Sequence, residues 1–483
     1  MEYRWQVLTV TTVGIFMSSL DASVVVVGLP TVLEALHADL ALGSWVITIY
    51  RLALTALLAP LGRLSDMYGR VKLYSLGYII FGLSSLLCAL SSSIYQLLAF
   101  RLLQGIGASL LFVNSMAIVT DAFAGRGLGT GIGINQVAIN AGTVVGYTLS
   151  GALISLYGWR SIFWINVPIG LLGAAWARIR LRELAPTSPA GAFDYAGALT
   201  FSSALTLALV ALTLGDIASP QVLLLLLASL ALFALFVLLE GRNRMPAVDL
   251  GLFRIRAFGV AVLANLLNGI SFASLAFVMA LYLQLVRGQT PLQAGLALIP
   301  LDLTLIGVGP ISGWLSDRYG ARGLSTAGLV ITGASLLLLS RLDQATPYPR
   351  ILALLALAGL GIGLFRSPNA SSAMGAVPSW ERGAAAGIRS TVINSSTSLS
   401  IPFSLAVMTT AVPYSELVGI VGGGKELDPE GLLGFLSGLR TALLASALLN
   451  FAAAAVSWQR QAASPPSLGE RRAANSLFSG RSK

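Results

Sequence analysis

In 483 residues the chain has one cysteine, Cys88, and one histidine, His37. A lone thiol inside an apolar run forms no intrachain disulfide and offers no paired redox chemistry. A lone imidazole beside Asp39 falls short of the ligand count a metal centre needs, so neither a metal nor a cofactor is expected. Charge is scarce too: 10% of residues are Asp, Glu, Lys or Arg, against roughly a quarter in soluble domains. That leaves too little polar surface for a globular exterior in water. The alternating glycines of Gly127 to Gly133 follow no strand, and no P-loop, zincin pattern or nucleophile elbow is present, so an enzyme is not expected. The formal charge of +10 is spread over short loops rather than massed on one polar segment, which argues against nucleic acid as a partner.

What the chain has in plenty is apolar sequence, 56% of its residues. Runs long enough to cross roughly 30 Å of hydrocarbon lie near 6–29, 41–62, 73–91, 94–117, 128–155, 160–179, 195–215, 221–239, 258–286, 292–314, 323–340, 350–373, 384–412 and 434–458. The prediction is an all-α integral membrane protein of fourteen transmembrane helices, with the bilayer as solvent. The first run follows only Arg4, exceeds a signal-peptide core and has no small-residue cleavage site after it, so it reads as the first span. Fourteen spans put both termini on one side. That side then carries twenty of the thirty Lys and Arg residues; five lie opposite (Arg160, Arg287, Arg341, Arg350, Lys425) and five within spans. Positive loops are retained in the cytoplasm, so both termini are expected there, in a multi-pass protein of the cell membrane.

A charged decapeptide organises the runs. Gly62-Arg63-Leu64-Ser65-Asp66-Met67-Tyr68-Gly69-Arg70-Val71 returns as Gly313-Trp314-Leu315-Ser316-Asp317-Arg318-Tyr319-Gly320-Ala321-Arg322. The first copy joins spans two and three and the second joins ten and eleven, so spans one to six match nine to fourteen. The expected units are a six-helix bundle at 1–180, linkers and an inserted hairpin of helices seven and eight at 181–256, a second six-helix bundle at 257–460, and a disordered cytoplasmic tail at 461–483. In the loops, glycine permits a tight turn while Asp and Arg supply charge that can lock at the water boundary. Gly62, Asp66, Gly69, Arg70, Asp317 and Arg318 are therefore the candidate gating loop. Asp66 is expected within reach of Arg70 or Arg126, locking an outward-open state. Asp317 should lock more weakly, because Ala321 stands where the first copy has Arg70.

These motifs resemble the major facilitator superfamily, and within it the fourteen-helix drug:proton antiporters, over nearly the whole chain. Leu20-Asp21-Ala22-Ser23-Val24-Val25-Val26-Val27-Gly28-Leu29-Pro30 is similar to that subfamily's first-helix signature, and Trp45 to Tyr50 to the start of its second helix. Arg101-Leu102-Leu103-Gln104-Gly105-Ile106-Gly107-Ala108 matches its fourth-helix motif. Leu252 to Phe258, Ser367-Pro368-Asn369, Arg382-Gly383 and Gly387-Ile388-Arg389 resemble its later landmarks. The fifth-helix antiporter motif is present with changes: Gly142, Gly146 and Gly151 remain as a helix-packing motif, Tyr147 stands at its proline and Ser150 at one glycine. Val26 replaces an asparagine of the first signature. The resemblance implies a major facilitator fold, and, with Tyr147 in that motif, leaves the direction of transport open.

Charges inside a membrane are costly and by default functional. At 1.5 Å per residue, Asp21, Arg51 and Arg101 lie about 12, 12 and 10 Å below the outer ends of spans one, two and four, at one depth. Asp21 and Arg101 read as a proton-coupling pair, in which protonating Asp21 frees Arg101, or as a static ion pair holding helices together. Arg51 is a candidate residue of the substrate cavity, where it attracts an anionic substrate, or else turns to the lipid headgroups. Asp302, the sole acid in the second half's hydrocarbon core, binds a proton or a cation, or bonds a neighbouring hydroxyl. Arg366 and Arg389 line the cytoplasmic mouth or, as the favoured reading, snorkel toward the headgroups. Asn135, Gln136, Asn140, Asn265, Asn268 and Asn394 are candidate cavity amides, with Phe112, Trp164, Phe272 and Tyr282 as stacking surfaces.

The favoured function is proton-coupled efflux of amphipathic, cationic small molecules by alternating access, in a monomer whose partners are its substrate, protons and lipid. The alternative is an importer or exporter of anionic or lipid-like solutes. A channel or receptor ranks third, because the half-to-half repeat suits two bundles rocking about a central site.

Overall fold

A computed structural model of the chain describes residues 2–124, 127–185, 192–214, 219–241, 243, 246–411 and 429–460. Arg126, Lys425 and the tail at 461–483 lie outside them. Fourteen long helices fill the described residues, which contain no strand. In chain order they are α1 (Tyr3–Ala35), α2 (Leu40–Tyr68), α3 (Arg70–Leu90), α4 (Ile94–Ala122), α5 (Leu128–Tyr157), α6 (Ser161–Arg180), α7 (Tyr195–Leu214), α8 (Pro220–Glu240), α9 (Arg256–Val286), α10 (Pro291–Tyr319), α11 (Ala321–Leu339), α12 (Tyr348–Gly375), α13 (Arg382–Met408) and α14 (Pro429–Trp458). Thirteen, all but α13, are long and apolar enough to cross a bilayer. A run of Ser, Thr and Asn from Ser390 to Ser400 makes α13 more polar.

Local chemistry sets several of these ends. The Asp39 carboxylate accepts a 2.7 Å hydrogen bond from the Leu42 N–H and starts α2. Thr290 and Gln293 form a reciprocal capping box at α10, with Pro291 in its first turn. The decapeptides turn on glycines in the left-handed region: Gly69 (φ 102°) separates α2 from α3 and Gly320 (φ 86°) separates α10 from α11. A side chain at either position would be strained.

Two helices break where the sequence predicts continuous spans. α6 is interrupted at Ile165, between Ser161–Trp164 and Asn166–Arg180. α9 runs Arg256–Phe272, then Leu275–Leu281, and ends in a π turn over Tyr282–Val286. Backbone freed inside hydrocarbon needs partners, and α13 supplies them. The Ser274 N–H donates to Ser400 Oγ at 2.7 Å, Ser400 donates to the Ile270 carbonyl at 2.6 Å, and the Ser274 and Ser404 hydroxyls bond each other at 2.6 Å. The polarity of α13 thus has a structural use.

The helix contacts repeat with a shift of eight. In the first half α1 packs on α5, α2 on α4, α3 on α4 and α6, and α1 on α4 and α6. In the second, α9 packs on α13, α10 on α12, α11 on α12 and α14, and α9 on α12 and α14. The halves meet along two seams, α2 with α13 and α5 with α10. The inserted α7 and α8 pair with each other, and α7 leans on α2 and α13, where the Ser202 hydroxyl bonds the Ala56 carbonyl at 2.9 Å.

The apolar cores show where the seams are shut. At the decapeptide end one cluster runs across both halves, joining Val10, Leu58 and Val113 to Val262, Met374 and Ala385. Away from that end each half has its own cluster, around Val24 and Phe163 in the first and around Tyr282 and Leu355 in the second.

Candidate functional site

Asp21 is fully buried, and its partners come from α4 and α6. Arg101 Nη1 lies 2.6 Å from Asp21 Oδ2, while Gln104 Nε2 and Asn166 Nδ2 each donate to Oδ1 at 2.9 Å. Arg101, 1% exposed, also donates to the Val46 carbonyl and to Gln104 Oε1, and its guanidinium lies 4.3 Å from the Tyr50 ring centroid. Gln104 reaches Ser85 on α3 at 2.7 Å. One carboxylate therefore ties together α1, α2, α3, α4 and α6. Its two oxygens take three donors, the arrangement that makes a buried ion pair tolerable.

The sequence reading placed Asp21, Arg51 and Arg101 at one depth. Asp21 and Arg101 do meet, but Arg51 joins neither: Val46 and Tyr50 of the same stretch of α2 turn to Arg101, while Arg51 is exposed on another face of the helix. Two participants were missed. Gln104 stands inside the fourth-helix motif and was read only as part of it. Asn166 lies at the break at Ile165, which Pro168 marks in the sequence because it has no N–H for the Trp164 carbonyl and crowds it.

At the decapeptide end, acids cap helices of the opposite half. Asp66 on α2 accepts the Gly383 and Ala384 N–H groups of α13 at 2.9 and 2.8 Å, and Arg70 holds the same carboxylate at 2.6 Å. Arg70 also pairs with Asp121 at the end of α4 and donates to the Ser379 carbonyl, and Arg382 closes the circuit to Asp121 at 2.9 Å. At the other seam Asp317 accepts Gly129 N–H, Thr130 N–H and the Thr130 hydroxyl at 2.7 to 2.9 Å, capping α5. Helix N-termini carry unpaired N–H groups and partial positive charge, so each carboxylate meets a ready anion site. Asp317 forms no ion pair among the described residues, and Arg318 lies against Trp314 and Tyr319 instead.

Glycines let the backbones close on one another here. A β-carbon at Gly62 would collide with the Gly383 carbonyl, and one at Gly129 would stand 2.5 Å from the Gly313 carbonyl. Asp121 and Glu183 were missed in the sequence. Glu183 receives the Val71 N–H at 2.8 Å and caps α3. Neither lies inside the repeat that drew attention to this end.

The seam between α2 and α13 widens away from the latch into a cavity of about 730 Å³, bounded by Arg51 and Thr48 of α2, Thr397 and Ile401 of α13, Leu212 of α7 and Ala273 at the break of α9. The hairpin thus stands outside the repeated helices and still lines this cavity. Asp302 on α10 is exposed, and Arg366 on α12 is the charge acting on it; Arg389 on α13 is 7% exposed and faces the field of Arg366. No ion pair within 4.0 Å joins these three among the described residues, and Arg389 Nε is buried without a hydrogen-bond partner.

The predicted amides separate. Asn135 Nδ2 donates to Ser115 at 3.2 Å with its oxygen unpartnered, and the Asn140 amide nitrogen is likewise unpartnered. Gln136 is half-buried on the same helix and Asn265 is buried on α9. Asn268 bonds Asn450 of α14 inside the second half, and Asn394 bonds the Ser390 carbonyl of its own helix. Gly142 and Gly146 press on the α1 backbone at Phe16 and Leu20, as close packing requires. Gly151 meets nothing within 4 Å, which removes it from the packing motif, while Ser150 bonds the Val24 carbonyl at 2.9 Å.

The profile of the Major Facilitator Superfamily matches residues 11–260 and 261–480. The chain belongs to this superfamily. It is 31% identical over 416 residues to the riboflavin transporter RibZ of Clostridioides difficile, covering 86% of this chain and 91% of that one. It is 34% identical over 397 residues to the multidrug resistance protein Stp of Mycobacterium tuberculosis, covering 80% and 73%. The solved proton:xylose symporter XylE shares the fold with a TM-score of 0.62 over 98% of this chain and 99% of that one, at 15% identity. This superfamily member is a multi-pass membrane transporter, not an enzyme, and resistance and export proteins recur among its relatives.

Proposed function

We propose that the chain is a fourteen-span antiporter that exports amphipathic small molecules from the cytoplasm in exchange for protons. The observation that carries this reading is the asymmetry of the seams: acid caps and a shared apolar core shut the decapeptide end, and the α2–α13 seam opens away from it. Alternating access needs a shut end whose contacts can be exchanged. With α13 as a further span and the positive loops inside, the latch faces the cytosol and the cavity faces outward. The working units are residues 1–180 and 257–460, with 181–256 as linkers and hairpin, in a monomer. The exporters among the relatives favour efflux over uptake.

Asp21 and Arg101 are the coupling pair in this reading. Three donors hold the Asp21 carboxyl group while the latch is shut; a proton on Asp21 removes the charge that orients Arg101 and Gln104, loosening five helices at once. Asp302 is the second acid on the path, with Arg366 as its counter-charge. The test is uphill export from proteoliposomes under an imposed pH gradient. Wild-type accumulation that collapses when the gradient is dissipated supports the reading, and accumulation that survives it refutes proton coupling.

A further inference from the structure

Among the described residues Arg51 is the one ionisable side chain in the wall of the α2–α7–α13 cavity, and no acid among them lines it. Among the described residues its guanidinium makes no hydrogen bond and no ion pair. Hydroxyls of Thr48, Thr55, Thr213 and Thr397 stand in a wall that is otherwise largely aliphatic. Arg51 is exposed to the cavity, where its guanidinium is free to meet a counter-charge brought by a ligand. We propose that this cavity binds amphipathic molecules carrying one negative charge, a carboxylate or sulfonate, with Arg51 as the anchor and α7 as the outer wall. The inference deepens the export reading, and rests on it for what the bound molecule does next.

Four observations converge on this class. A cavity of about 730 Å³ falls within the roughly 300 to 1,000 Å³ that encloses a drug-sized ligand. Its lining combines one charge, a few hydroxyls and a large aliphatic area, which suits a molecule with an apolar body and a polar tip. The broken segment of α9 reaches it at Ala273, and discontinuous helices are where transporters present backbone to substrate. The remaining interior charges of the second half, Arg366 and Arg389 against Asp302, sum to a positive field. A cationic amphiphile would place like charge beside Arg51, with no acid in the cavity wall among the described residues. The inserted hairpin gains a use from the same geometry, since Leu209, Leu212 and Thr213 of α7 form part of the cavity wall.

Three dansyl probes separate charge from shape: dansylglycine (anionic), dansylamide (neutral) and dansylcadaverine (cationic). Each is titrated by fluorescence against the full chain in phosphatidylcholine nanodiscs, with empty nanodiscs subtracted. Dansylglycine is expected to bind most tightly. Arg51→Gln should weaken dansylglycine by about 10- to 100-fold, the loss of a charge-assisted hydrogen bond, while leaving dansylamide within about twofold. Arg51→Lys should restore most of that loss. Leu212→Trp, which fills the cavity from α7, should weaken dansylglycine and dansylamide together. Dansylcadaverine binding as tightly as dansylglycine, or dansylglycine binding unchanged in Arg51→Gln or in Leu212→Trp, overturns the proposal. Binding is read at equilibrium without a gradient, so a chain that holds dansylglycine through Arg51 and exports nothing refutes the export reading alone.

Discussion

In the first half the deepest acid and its arginine are paired and every oxygen of the acid is bonded; in the second, Asp302, Arg366 and Arg389 sit on three helices with no ion pair between them. The helix contacts of the two halves repeat, so the difference lies in side chains and not in architecture. A paired buried charge braces helices and can be released by one proton. An unpaired one leaves a field that something mobile must answer. Under the proposed function, the half with the paired acid is the one that switches and the other sets the sign of the interior.

The largest expected effect is on stability, and it contrasts the halves directly. Arg101→Leu leaves Asp21 buried without its cation and should cost about 3 to 5 kcal/mol, the penalty of breaking a buried pair. Arg389→Leu removes a cation that has no partner, so the protein should lose little or gain stability. Thermal unfolding of both variants in the same nanodiscs decides it; equal losses would erase the distinction between the halves.

Next in size is the comparison of the two latches. Asp66→Asn removes a charge that serves two backbone donors and Arg70, and export should fall by about tenfold or more, given roughly 1.5 to 3 kcal/mol for hydrogen bonds to a charged group. Asp317→Asn loses the α5 cap but no ion pair, and export should fall less. Transport assays at matched expression check the ranking, and the reverse order would make Arg70 irrelevant to the lock.

The smallest effects probe glycines. Gly62→Ala puts a methyl group against the Gly383 carbonyl and should weaken closure of the latch. Gly151→Ala meets open space, and a helix-interior alanine should stabilise α5 by about 0.5 to 1 kcal/mol. A stability loss at Gly151 would return it to the packing motif.

Much of this arrangement was legible in the chain. The decapeptide repeat paired the halves, and hydrophobic length located thirteen apolar helices, whereas α13 is a helix too polar to count as a span on that ground alone. The Asp21 and Arg101 pairing followed from charge inside hydrocarbon. What escaped was whatever depends on local departures from a regular helix. The break that delivers Asn166 leaves no periodic trace, nor does the turn at Ala273 that opens α9 to the cavity. Arg51 neighbours Tyr50, which meets Arg101, but lies on another face of α2, which depth along a helix does not record. The part played by α7 in the cavity is a matter of tertiary packing, which hydropathy does not record.

The most direct test of the account is transport by Asp21→Asn in proteoliposomes with and without a pH gradient, using whichever dansyl probe the wild-type chain accumulates. Asparagine mimics the protonated acid, so the account predicts that the variant folds, binds the probe with no pH dependence and equilibrates it, yet fails to concentrate it. A folded Asp21→Asn protein that still drives the probe against its gradient would contradict the account and leave Asp302 to carry the proton.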